Sequence, residues 1–151
     1  AAAAAGAQAA SMAMLRLPTF RSRGRANLHQ GAVGVGVDIR SGRTFGGVWQ
    51  QRAVAEHPDT AQPLAGAPIE HWPRIRDLAA AAARASGMAY VGVDVVIDRT
   101  LGPLILELNA RPGLAIQIAT HTGLAPLLAA VDAELDALPA PAPLTLPTPA
   151  F

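Results

Sequence analysis

Tyr90-Val-Gly-Val-Asp94-Val-Val-Ile-Asp98 and Leu104-Ile-Leu-Glu107-Leu-Asn109, with Arg99-Thr-Leu-Gly-Pro103 between them, decide how this chain is read. β-Branched and aliphatic residues bounded by glycine and proline predict two strands joined as a hairpin. If Ile97 pairs with Leu104, Asp94 lies directly opposite Glu107, and Gly92 opposite Asn109. Opposed residues of an antiparallel pair share a face with Cβ atoms about 4.5 to 5.5 Å apart, and like charges there repel. A divalent cation would relieve that repulsion. Mg²⁺ suits the pair, because it takes hard oxygen ligands, is held by one or two carboxylates, and completes its octahedron with water and substrate phosphates. Asn109 adds a neutral oxygen on the face of Glu107, since positions two apart on a strand point the same way. Glycine at 92 is expected to leave that face open. Asp94, Glu107 and Asn109 are therefore the candidate metal ligands. The plainer alternative is that the carboxylates line the wet face of a sheet. Their apolar neighbours argue against it, because they read as strands covered on both faces.

Outward from the hairpin, composition sets limits. The 151 residues fit one domain with a modest core; 51% are hydrophobic, much of that alanine, and only 4% are aromatic. No cysteine is present, which excludes disulfides and thiolate metal sites. A net charge of +1 supplies no general attraction to nucleic acid or to a membrane surface. All 12 basic residues are arginines. A lysine nucleophile, Schiff base or phosphate anchor is thus excluded within these residues.

Along the chain, residues 1–14 are an Ala-rich low-complexity segment, with neither the basic start of a signal peptide nor an apolar run able to span a bilayer. The missing initiator Met suggests a cut from a longer sequence. Arg16, Arg21, Arg23 and Arg25, interrupted by Pro18, Ser22 and Gly24, read as a solvated basic loop. Gly31 to Ile39 alternates small and β-branched residues, Arg40-Ser-Gly-Arg43 is a turn, and Thr44 to Gln50 returns. This predicts another hairpin, with glycines where something approaches the backbone closely. Gly31, Gly34 and Gly36 do not have phosphate-loop spacing, and no helix follows them.

Residues 56–71 read as loop. Trp72-Pro73 opens a helix that runs to about Ser86, where Gly87 stops it, with Ile75, Leu78, Ala79, Ala82 and Met88 on the buried side. After Arg111-Pro-Gly-Leu114, a second helix is expected from about Ala125 to Leu138, with Leu128, Val131, Leu135 and Leu138 forming one apolar stripe. Residues 139–151 read as a Pro-rich disordered tail. The expected fold class is α+β: an antiparallel sheet from two hairpins packed with two helices.

Gly92-Val-Asp94, followed by Gly102-Pro-Leu-Ile-Leu-Glu107-Leu-Asn109-Ala-Arg-Pro112-Gly113-Leu114, resembles the metal-binding end of the ATP-grasp superfamily. Within it, the likeness is to the branch of ribosomal-protein glutamate ligases, especially the alpha-L-glutamate ligase-related proteins. Gly24-Arg25-Ala-Asn27-Leu-His29-Gln-Gly31 resembles that branch's Arg and Asn strand beside the triphosphate. The likeness covers about residues 12–126, and residues 15–138 would form a partial ATP-grasp domain, its C-terminal part.

The resemblance implies a cytoplasmic, ATP-dependent carboxylate–amine ligase working through an acyl phosphate. Its cofactors would be ATP and Mg²⁺ or Mn²⁺, its substrates a carboxylate and an amine. Asp94, Glu107 and Asn109 would bind metal. Arg25 would contact the transferring phosphate as a permanently charged planar donor. Arg25, Asn27 and Glu107 would bind the nucleotide, and Arg25 and Arg111 would be catalytic. Arg111 has an equal reading as a turn-side salt bridge, and Asn27 as a turn former. His29 has no evident general-base partner. His57 with Asp59 reads as an entrance loop, and Asp98 as solvated beside the turn. The nucleotide clamp of such ligases, with its phosphate-binding lysines, has no counterpart here. The chain would be inactive alone, requiring an N-terminal ATP-grasp portion in cis. The alternative is a non-catalytic remnant acting as a binding or oligomerisation module. Neither nucleic acid nor membrane is an expected partner, since the arginine cluster comes with no aromatic stacking platform.

Overall fold

The computed structural model describes residues 10–137. Its larger sheet is a four-stranded antiparallel meander: β1 (Ala13–Leu17), β2 (Val33–Val37), β3 (Thr44–Trp49) and β4 (Arg52–Val54), in that order. Helix α1 (Trp72–Ser86) follows, then the hairpin of β5 (Gly92–Asp98) and β6 (Gly102–Asn109), which forms a sheet of its own. Helices α2 (Ala115–Thr120) and α3 (Leu124–Asp136) complete the described chain, and a 3-10 turn spans Leu28–Gln30. The α+β class holds. The sheet expected from two hairpins and two helices is instead a four-stranded sheet, a separate hairpin and three helices.

Strand alternation gives the larger sheet two different faces. Val33 and Val35, both fully buried, cluster with Leu64, and Leu15, Leu17, Trp49 and Val54 pack around them. That core lies beneath the 56–69 loop. On the other face, a Cβ at Gly34 would lie 2.8 Å from Leu28 and 3.6 Å from Ala119, and one at Gly36 would lie 2.6 Å from the Ala119 carbonyl. Glycine there lets α2 approach the strand backbone, as the spacing of small residues suggested.

Boundaries follow local chemistry. Pro73 sits in the first turn of α1, and Gly87, in the left-handed region at φ 66°, closes it through its N–H to the Arg84 carbonyl. The side expected to be buried (Ile75, Leu78, Ala79, Ala82, Met88) is half-buried throughout. Trp72 packs over Gly42 and donates its indole N–H to the Ile39 carbonyl at 3.0 Å, fastening α1 to the β2–β3 turn.

Three expectations need correction. Arg16 lies in β1, not in a loop, and the strand takes in Ala13 and Met14 from the Ala-rich segment. Helix α2 lies between Leu114 and the helix expected from about Ala125, where no helix was expected. Leu128, Val131 and Leu135 are 51%, 46% and 57% exposed, so the apolar stripe of α3 is not buried against the described residues. Leu138, residues 1–9 and the expected tail at 139–151 lie outside the described residues. Among the described residues, no helix is long and apolar enough to cross a membrane.

Candidate metal centre on the hairpin

Asp98 builds the turn that starts the hairpin. Its Oδ1 accepts the backbone N–H groups of Thr100 and Leu101, each at 2.8 Å, and Gly102 takes the left-handed conformation at φ 77°. This is a three-residue connection of the type closed by a left-handed glycine. The two donors, Leu101 first and then Thr100, hold the Asp98 carboxyl below its ordinary value. Asp38 repeats the device in the β2–β3 turn, its pKa lowered by the Ser41 hydroxyl at 2.6 Å and the Ser41 N–H at 2.7 Å.

From that turn Asp98 pairs with Gly102, Ile97 with Pro103, Val96 with Leu104 and Val95 with Ile105. The expected pairing of Ile97 with Leu104 is therefore displaced by one residue. A bulge then intervenes: Leu106 has no partner, and beyond it Asp94 pairs with Glu107, Val93 with Leu108 and Gly92 with Asn109. The two expected pairings that matter are present for a reason absent from the simple alternation. An unbulged ladder from the same turn would set Asp94 against Leu106 and turn Glu107 to the opposite face. The bulged residue is 67% exposed.

The metal candidates thus share one face: Asp94 opposite Glu107, with Asn109 two residues further along. Asp94 and Asn109 are half-buried, and Glu107 is exposed. The face is not open at Gly92, because Pro112 folds back over it; a Cβ there would lie 2.7 Å from the Pro112 Cβ. Nor are the strands covered on both faces, since Val96, Ile97, Leu104, Leu106 and Leu108 are all at least 38% exposed. Helix α1 packs against both strands, and the better-covered Val95, Ile105 and Pro103 share one face.

Asp94 has a partner that sequence reading missed. The Arg16 guanidinium Nη2 lies 3.1 Å from Asp94 Oδ1, the one ion pair among the described residues. Arg16 stands between Leu15 and Leu17, which pack with the core, so its side chain leaves the opposite face of β1. Its position as a lone charge inside an apolar pentapeptide, Ala13-Met-Leu-Arg-Leu17, was the available signal. The contact satisfies part of the positive-charge demand inferred for the hairpin. No second acidic or histidine neighbour supplements the set: among the described residues no three such side chains gather into a metal cage. Two carboxylates and an amide oxygen fit Mg²⁺, which retains several waters, better than they fit a cation requiring an all-protein shell.

The remaining candidates are not gathered by any contact to the three. Arg25 is exposed and its Nη1 donates to Gln30 Oε1 at 3.4 Å. Asn27 caps the 3-10 turn, its Oδ1 accepting from the His29 N–H at 2.9 Å. Arg111 is exposed after β6. His57 and Asp59 have structural partners: His57 Nε2 is 3.1 Å from the Pro18 carbonyl, and Asp59 Oδ2 accepts the Phe20 N–H at 2.6 Å. They tie their loop to the turn after β1. Two shallow depressions, one along Val54–Ala61 that His57 lines and one between Gly46, Ala65 and His121, include none of Arg25, Asn27, Asp94, Glu107, Asn109 and Arg111.

Comparison with known proteins adds one match. The family model described as sugar-transfer associated ATP-grasp matches residues 5–133. No curated protein and no solved structure matches the chain. The match covers most of the chain and includes every candidate residue on β1, β5 and β6. It supports the superfamily drawn from Asp94 and the Glu107–Asn109 segment and does not specify the glutamate-ligase branch. The chain belongs to the sugar-transfer associated ATP-grasp family.

Proposed function

We propose that this chain supplies the Mg²⁺-binding and phosphate-handling part of an ATP-dependent carboxylate–amine ligase. The observation that carries the reading is the register that sets Asp94 against Glu107, with Asn109 on the same face. Family membership supports an ATP-dependent ligase. The finer likeness to glutamate ligases rests on the Asp, Glu-x-Asn and Pro-Gly segments alone.

In such a reaction a carboxylate oxygen attacks the γ-phosphorus of ATP and ADP leaves. An amine then attacks the acyl phosphate carbonyl, releasing inorganic phosphate and one proton to solvent. Mg²⁺, when bound, neutralises charge on the phosphate oxygens. Asp94 and Glu107 would hold it as anionic ligands, and Asn109 Oδ1 as a neutral one. Arg25 and Arg111 would stabilise the transferring phosphoryl group; both are exposed, Arg25 with one long hydrogen bond to Gln30 to give up. Asn27 would fix the turn that presents Arg25, since its side chain is engaged with the His29 N–H. With no lysine in the sequence, every cationic phosphate contact from this chain falls to arginine. The adenine clamp would come from sequence other than these residues, so the 151-residue chain is expected to bind Mg²⁺ weakly and to turn nothing over by itself.

Binding and chemistry are tested separately. Mn²⁺ titration, read by the loss of the free-ion electron paramagnetic resonance signal, should show weaker binding by Asp94→Asn, Glu107→Gln and Asn109→Ala, by ~10-fold or more for each carboxylate. Unchanged affinity in both carboxylate variants would sink the metal assignment. Hydroxylamine trapping with a panel of carboxylates should yield ATP-dependent hydroxamate only in a chain that also carries the nucleotide clamp, and none when Glu107 is replaced.

The Arg16–Asp94 ion pair also favours a second reading. A remnant that has lost catalysis can keep its fold by neutralising an old ligand with arginine. Mn²⁺ affinity separates the two, because a remnant of that kind has no use for the cation and should show none that depends on Asp94.

A further inference from the structure

We infer that Arg16 competes with the cation for Asp94 and so sets the concentration at which the hairpin takes up metal. The inference rests on the assignment of Asp94 as a ligand. It begins from one atom: Asp94 Oδ1, which the Arg16 Nη2 approaches to 3.1 Å.

Arg16 is committed to this position by the sheet. Leu15 and Leu17 are packed with Val33 and Val35, and Arg16 is paired with Gly34, so the strand cannot rotate without exposing its core side chains. Over Gly34 on that face lie Leu28, Met14 and Ala119. The arginine side chain spans from the four-stranded sheet to the separate hairpin, and it ends on the carboxylate that lies opposite Glu107.

Both cations draw on one carboxylate, and each opposes the other's approach. Mg²⁺ sits about 2.1 Å from a carboxylate oxygen, and a guanidinium nitrogen held on that same oxygen would place two cations within one ligand's reach. The guanidinium's charge therefore works against the metal's approach, and the metal's charge weakens the arginine's hold on Asp94. The pair is built to be released: one nitrogen meets one oxygen, without the two parallel bonds of a bidentate fork. Its side chains are 37% and 33% exposed, so solvent screens it. An exposed pair of this kind shifts an equilibrium about two- to fivefold. Arg16 is thus a positioning residue that acts through Asp94 and weakens the site's hold on the ion.

The experiment is a Mn²⁺ titration of the whole chain by electron paramagnetic resonance at low ionic strength. Arg16→Gln is expected to bind Mn²⁺ about two to five times more tightly than the parent. Arg16→Met, which keeps the aliphatic stem, carries the same expectation, so a folding defect of one substitution does not decide the outcome. In an Asp94→Asn background the Arg16→Gln effect should vanish, which a merely structural role for Arg16 would not produce. The parent's disadvantage should also shrink as salt rises toward about 0.5 M, because screening weakens the ion pair. Unchanged or weaker binding in both Arg16 variants, with Asp94→Asn losing binding, would overturn the competition and leave the metal site intact. Unchanged binding in Asp94→Asn itself would instead remove the site on which the competition depends.

Discussion

Two turn-forming carboxylates of this chain can be told apart from the candidate ligands by what they accept. Asp98 takes two backbone N–H groups and Asp38 takes a hydroxyl and an N–H, all from residues two or three positions ahead. Asp94 takes none of these and meets a guanidinium instead. Asp98 and Asp38 both have lowered pKa values in the fold. A carboxylate depressed on folding adds stability that is present above its ordinary value and is lost as pH falls through the folded one. The window therefore lies below about pH 4. Asp98→Asn keeps an acceptor for the turn but removes the charge that titrates. Melting temperature measured from pH 7 to pH 2 should fall less steeply on the acid side in this variant than in the parent, and an identical acid limb would show that the turn carboxylate contributes nothing to it.

At the scale of elements, the hairpin shows what residue order reveals and what it hides. Helix α1 was legible to the residue because Pro73 and Gly87 are each favoured at their place for a steric reason. The β2–β3 hairpin was legible from its turn chemistry. Helix α2 was not: Ala115-Ile-Gln-Ile-Ala-Thr120 has six residues, two of them β-branched isoleucines, and no side-chain cap. It is held by packing on Gly34 and Gly36, a contact invisible to local propensity. Arg16 as a partner of Asp94 was hidden for the same reason, being 78 positions away and in another sheet. The bulge at Leu106 escaped because a one-residue error at the turn and an unrecognised bulge cancel, leaving Asp94 and Glu107 opposed either way.

That cancellation makes a test. Deleting Leu106 removes the bulge while Val95 still meets Ile105 and Asp94 still meets Glu107, so Mn²⁺ affinity should be retained within about twofold. Deleting Ile105 and Leu106 together leaves Asp94 against Leu108 and sends Glu107 to the opposite face. Affinity should then drop by ~10-fold or more, as for loss of the carboxylate itself. Equal affinity in the two deletions would mean that the shared face does not govern metal binding.

For the molecule as a whole, burial is unevenly distributed. Among the described residues, buried Ala32, Val33, Val35, Val37, Val48, Leu64 and Ala119 all lie in or against the four-stranded sheet, and the hairpin adds only Pro103 to the buried apolar side chains. The hairpin and α3 keep large apolar side chains half in water, among them Leu106 at 67% and Leu135 at 57%. Hydrophobic stabilisation scales with apolar area removed from water, so the sheet carries the stability and the candidate ligands ride on a less buried piece anchored by α1, Pro112 and Arg16. Val35→Ala opens space in a fully covered site and should cost about 1 to 3 kcal/mol. Leu135→Ala removes a side chain that is mostly hydrated already and should change stability by no more than about 0.5 kcal/mol. Chemical denaturation measures both. Hydrogen exchange should rank the same two regions, with β2 and β3 amides opening only near global unfolding and β5–β6 amides opening at lower free energy. Slower exchange in the hairpin than in β2 would contradict this division, and would require covering contacts for Val96, Leu104 and Leu108 beyond those the fold supplies.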